Sequence, residues 1–125
     1  MILDTNALSA FADGDSAVVE RIGSAAVVAL PVVVLGEFRY GIAHSRNRRR
    51  YESWLDQLVR VCAILDITSS TAARYAEIRL SLRRAGTPIP VNDAWIAALC
   101  RQHGHPVLSR DRHFDFVDGI RRVTW

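Results

Sequence analysis

Short apolar runs alternate with helical stretches along this chain, and that alternation leaves few folds open. Met1-Ile2-Leu3 opens it and stops at Asp4. Ala26 to Leu30, rich in Val, reads as a buried strand. Cys62 to Ile67, Pro106 to Ser109 and Ile120 to Thr124 follow, the last at an edge because Arg121 and Arg122 interrupt it. Between them lie helical patterns. Asp15 or Ser16 caps one reaching about Ile22, and Pro31 fits the first turn of another running to about His44. Arg46 to Arg60 is amphipathic, with Tyr51, Trp54, Leu55 and Leu58 on one stripe. Ser69 or Ser70 opens a long helix to about Arg84, closed by Gly86. Thr87-Pro88-Ile89-Pro90 cannot be helical; Asn92 or Asp93 then starts a helix whose body, Ala94 to Cys100, is almost wholly apolar. Such alternation implies parallel strands, right-handed crossovers and helices on both faces of the sheet. The expected fold is therefore a three-layer α/β/α domain spanning residues 1–125, around a mostly parallel five-stranded sheet. Functional groups in such folds gather beyond the carboxyl ends of the strands.

At 125 residues the chain holds one core and needs no metal or disulfide to fold. With a strand at its first residue, it is expected to have no tail before that core. The longest apolar stretch, Ala25 to Leu35, is too short to span a bilayer. No secretory pattern opens the chain, so a cytoplasmic protein without membrane association is expected. Cys62 and Cys100, with no Cys-x-x-Cys, read as reduced, buried thiols. The net charge is +3, and all 16 basic residues are Arg. Genomic composition explains the missing Lys. The basic balance is a weak hint of a nucleic-acid partner.

The acids are more telling. Asp4 ends the first strand, Asp111 follows the fourth, and Asp93 starts the apolar helix. All three belong to one rim of a parallel sheet, and Glu37 reaches that rim from its own helix. Each Asp alone has an ordinary explanation. Asp93 reads as a helix cap, Asp4 as the cap of a short Asn6-Ala7-Leu8 turn, and Asp111 as turn chemistry. Glu37 inside an apolar helix is harder to dismiss. Four converging carboxylates repel, and the sequence has no Lys to neutralise them. Mg²⁺ or Mn²⁺ would, since hard cations take carboxylate oxygens and suit phosphate substrates. A cation held by acids on a basic protein implies phosphoryl chemistry. With the four acids committed to an ion, the net charge of the remainder rises from +3 to +7, which suits a polyanion.

These residues resemble the four motifs of PIN-domain nucleases. Met1-Ile2-Leu3-Asp4-Thr5-Asn6 resembles the first, and the Gly36-Glu37 helix the second. Ile89-Pro90-Val91-Asn92-Asp93-Ala94 with His103-Gly104 resembles the third, and Val107 to Phe114 the fourth. They occur in family order over nearly the whole chain, and its length is similar to that of VapC-type toxins of type II toxin–antitoxin pairs. The resemblance implies a metal-dependent endoribonuclease acting on structured RNA, usually tRNA or rRNA, and silenced by a VapB-type antitoxin. It implies a homodimer and a sheet with the first strand in the middle. It makes Asp4, Glu37, Asp93 and Asp111 the catalytic, metal-binding acids. Thr5 and Asn6 would orient Asp4, Ser109 stands where the family often has Thr, and Asp115 matches an accessory acid found in some relatives.

Arg46, Arg48, Arg49 and Arg50 form the densest basic cluster, read equally as a solvated helix start or an RNA contact. Arg110 and Arg112 flank Asp111 and are candidates for positioning phosphate. The helices from Pro31 to Arg60 are the candidate antitoxin surface, although the aromatic stripe on them reads first as core. His113 reads as structural before proton shuttle, Trp95 as core, and Trp125 as packing on the sheet or on a second subunit. An aspartate-based phosphatase fits less well, since it wants a second acid where Asn6 stands. A non-catalytic RNA-binding module explains the basicity but not Glu37.

Overall fold

The computed structural model describes residues 1–125. Five short strands form the central sheet: β1 (Ile2–Leu3), β2 (Ala29–Pro31), β3 (Ala63–Leu65), β4 (Val107–Leu108) and β5 (Arg122–Val123). Their order is β3-β2-β1-β4-β5, and every pairing is parallel. The first strand is central and β5 lies at an edge, as expected. Six helices surround the sheet: α1 (Thr5–Ala12), α2 (Ser16–Gly23), α3 (Val32–Ile42), α4 (Arg48–Val59), α5 (Ser69–Ala85) and α6 (Val91–His103). A short 3₁₀ helix, Arg112–Phe116, follows β4. None of the helices is long and apolar enough to cross a membrane.

The register of β1 against β4 places the site. Ile2 pairs with Val107 and Leu3 with Leu108, so the residues that follow, Asp4 and Ser109, emerge side by side. All four paired residues are fully buried, as parallel strands covered on both faces must be.

Several boundaries differ from those read off the sequence, each for a local reason. The short turn expected after β1 is a complete helix, α1, capped by Asp4 through a 2.7 Å bond from the Ala7 N–H. Pro31 is not in the first turn of α3. It ends β2 with extended backbone, and only Val32 onward is helical. Thr68, not Ser69 or Ser70, caps α5, because Thr68 and Thr71 satisfy each other's backbone N–H groups in a reciprocal capping box. Gly86 ends that helix with φ +71°, which favours glycine. Pro90 precedes the first turn of α6, so Asp93 lies three residues into the helix and does not cap it.

The aromatic stripe of α4 faces inward. Trp54 meets Phe11 and Phe38 at centroid distances of 5.4 and 5.9 Å, and Phe38 meets Tyr51 at 6.0 Å. Trp95 stacks on Tyr75 of α5 at 3.8 Å. Trp125 packs against the core of its own chain. Cys62 and Cys100 are free, and burial pushes the Cys100 thiol up to about 12, leaving it protonated and inert.

Candidate active site

Asp4, Glu37, Asp93 and Asp111 line one open cavity of about 670 Å³, together with Thr5, Asn6, Tyr40, Pro90, Val91 and Asn92. Four separate stretches of chain build it. Asp4 leaves the end of β1 and is only 3% exposed. One of its oxygens caps α1; the other accepts the hydroxyl proton of Ser109 at the end of the neighbouring strand. Ser109, fully buried, also accepts the Asp111 N–H at 2.9 Å. This one hydroxyl therefore couples two acids.

Glu37 lies on α3 beside the buried stripe Val34, Phe38 and Ile42, which turns its side chain to the sheet rim. Thr5 donates its hydroxyl to Oε2 and Asn92 its amide to Oε1. Both oxygens are thus held by neutral donors. Thr5 was expected to orient Asp4; it orients Glu37 instead, because Asp4 is already fixed by the helix it caps and by Ser109. Asn6 lines the cavity.

Asp93 does not cap its helix; it sits in the first turn, where a negative charge suits the helix dipole. Its Oδ2 lies 3.3 Å from His113 Nδ1, and Oδ1 of Asp111 lies 2.9 Å from the same nitrogen. Asp111 caps the 3₁₀ helix by accepting the His113 N–H at 2.8 Å. Donor atoms of Asp93, Asp111 and His113 all lie within 4.8 Å of one another.

The electrostatics are those of acids forced together. Burial above all, with added repulsion from Asp93 and Asp111, pushes Asp4 up to about 6 against the pull of its Ser109 and Ala7 bonds. Burial, then Asp111 and Glu37, raise Asp93, while His113 lowers it. A divalent cation would relieve this strain, and an oxygen-rich donor set in an open cavity fits Mg²⁺ or Mn²⁺.

A PIN domain family model matches residues 1–120. The chain belongs to the PIN domain family. Among the relatives of this PIN domain, Ribonuclease VapC5 of Mycobacterium tuberculosis is 31% identical over 98 residues, covering 77% of this chain and 73% of that protein. VapBC2 from Rickettsia felis, solved bound to a DNA fragment from its promoter, shares the fold with a TM-score of 0.90. It is 22% identical and the match covers 99% of this chain and 97% of that one. DNA-bound VapBC from Salmonella typhimurium gives a TM-score of 0.88 at 26% identity, covering 99% and 96%.

Not every anticipated residue reaches the cavity of this PIN domain. Asp115 is exposed and gripped by Nε and Nη2 of Arg122, each at 2.8 Å, which lowers its pKa. Arg110 lies 4.4 Å above the Trp125 ring and 3.7 Å from Asp15. Neither Arg110 nor Arg112 lines the cavity. Arg46, Arg49 and Arg50 are exposed at the start of α4, whereas Arg48 is paired with Glu52 at 2.8 Å. Two polar cavity residues, Asn92 and Tyr40, were not singled out as site residues from sequence. Asn92 was visible as the neighbour of Asp93. Tyr40 was visible as the residue one turn beyond Glu37; it is 84% exposed at the mouth. The role of His113 had no sequence signal beyond its nearness to Asp111.

Proposed function

We propose that this PIN domain is the toxin of a type II toxin–antitoxin pair, a metal-dependent endoribonuclease hydrolysing phosphodiester bonds of structured RNA such as tRNA or rRNA. The observation that carries the reading is the convergence of Asp4, Glu37, Asp93 and Asp111 on one cavity of an otherwise basic protein. Kinship with VapC ribonucleases supports it. A VapB-type antitoxin is the partner in that role, and the toxin itself is a homodimer.

Asp4, Asp93 and Asp111 would hold the Mg²⁺ or Mn²⁺, with Glu37 completing the acidic set. Bound there, the cation supplies charge stabilisation for the phosphate and an acidified water. The chain does the rest. Ser109 and the Ala7 N–H fix Asp4 so that its oxygens need not reorganise during the reaction. Glu37, held at both oxygens by neutral donors, keeps free lone pairs to orient the attacking water and accept its proton. Arg46, Arg49 and Arg50 neutralise flanking phosphates.

The test is to sequence RNA 5′ ends after expressing the wild type beside Asp4→Asn. Wild type should create a defined set of new ends, and the variant none. The same ends from both proteins would overturn the proposal in favour of RNA binding without catalysis.

A further inference from the structure

We infer that His113 is itself a ligand of the cation, giving the site a nitrogen donor, and that the site therefore prefers a first-row transition ion such as Mn²⁺ over Mg²⁺. This rests on reading the cavity as a divalent-cation site, and adds to it the identity of the ion.

Two contacts place the ring. The His113 N–H is held by Asp111, and the next residue, Phe114, is buried in the core at 1% exposure. The imidazole is thus pinned beside the acids while its side chain stays 42% exposed. Nδ1 stands 2.9 Å from Asp111 Oδ1 and 3.3 Å from Asp93 Oδ2. Bonds of about 2.1 Å to an octahedral ion put adjacent donor atoms roughly 3 Å apart. The two separations therefore suit neighbouring positions on one ion. In the tautomer with its single proton on Nδ1, the neutral ring bridges two carboxylates. To receive a cation the ring takes its other tautomer: that proton passes through solvent to Nε2, and Nδ1 is left with a free lone pair.

The consequence is selectivity. Mg²⁺ holds to oxygen and water, whereas Mn²⁺ tolerates a histidine among its carboxylates, as in di-manganese sites built from Glu and Glu-x-x-His. A histidine that only oriented Asp93 and Asp111 would strengthen the binding of either ion equally. The nitrogen donor breaks that symmetry.

The experiment titrates Mn²⁺ and Mg²⁺ separately into the full chain and into His113→Ala by calorimetry, with folding checked by circular dichroism. Pulsed electron paramagnetic resonance of bound Mn²⁺ is then compared between unlabelled protein and protein carrying ¹⁵N-histidine. The expected result is a roughly tenfold loss of Mn²⁺ affinity in the variant, at the lower end of what losing a supporting group costs a metal site. Mg²⁺ affinity should change less than twofold, and the nitrogen coupling should respond to the isotope. Equal weakening of both ions, unchanged affinity, or no nitrogen coupling would overturn the inference. Asp93→Asn separates the two readings. If it abolishes binding of both ions while His113→Ala affects them equally, the cation site stands and only the role of His113 falls.

Discussion

At the scale of single residues, the site sets its own demands on stability. Asp4 titrates near 6 in the folded chain against an ordinary 3.8. A raised acid pKa means that the folded state binds the proton more tightly, so the associated stability is complete below about 4 and lost as pH rises through 6. Two units correspond to about 3 kcal/mol. In metal-free protein, Asp4→Asn should therefore raise stability at pH 7.5 and leave it nearly unchanged at pH 4, as read by urea denaturation at both values. A wild type no less stable than the variant at pH 7.5 would contradict this. Glu37→Gln keeps the shape and the Thr5 contact but cannot take a proton. Cleavage should fall by about 10² to 10⁴ with little change in melting temperature. Ser109→Ala removes the hydroxyl that joins Asp4 to the Asp111 N–H, at a cost of about 1–3 kcal/mol in chemical denaturation.

At the scale of elements, helix ends decide which acids are free. Asp15 spends its side chain on its own helix, accepting from Ala17 and Val18. Asp4 and Asp111 cap too, but each retains capacity toward the cavity. Asp93 is released entirely because α6 starts at Val91 behind Pro90. The 3₁₀ helix depends on Phe114 as its anchor in the core. Phe114→Ala should cost about 3–5 kcal/mol and loosen the Asp111–His113 pair with it. Thermal unfolding gives the first quantity, and an undiminished divalent-ion affinity would argue against the second.

At the scale of the whole molecule, charge is divided between an acidic cavity and an arginine-rich exterior. Changing Arg46, Arg49 and Arg50 together to Ala should raise KM for RNA and leave kcat nearly unchanged. If each contacts one phosphate of a single strand, the salt dependence of binding should flatten by a log–log slope of about 2. An unaltered slope would place the RNA elsewhere. The layered fold and its central first strand were legible in the alternation of short apolar runs with helices and in the motif order, because parallel strands must be buried on both faces. The four acids were legible as a set, because strand ends and helix starts gather them on one rim, although each Asp alone had an ordinary explanation. What escaped was anything set by contacts across the sheet rim. Thr5 serves Glu37 and not Asp4, Asp115 is taken by Arg122, Arg110 turns to Trp125, and His113 meets two acids. The linear order of residues determined which segments would form strands and which charges would stand at their ends, since both follow from local pattern and periodicity. Only the tertiary structure decided who pairs with whom, because hydrogen bonds of about 3 Å between residues as far apart as Asp93 and His113 depend on strand register and helix starts that no local pattern records.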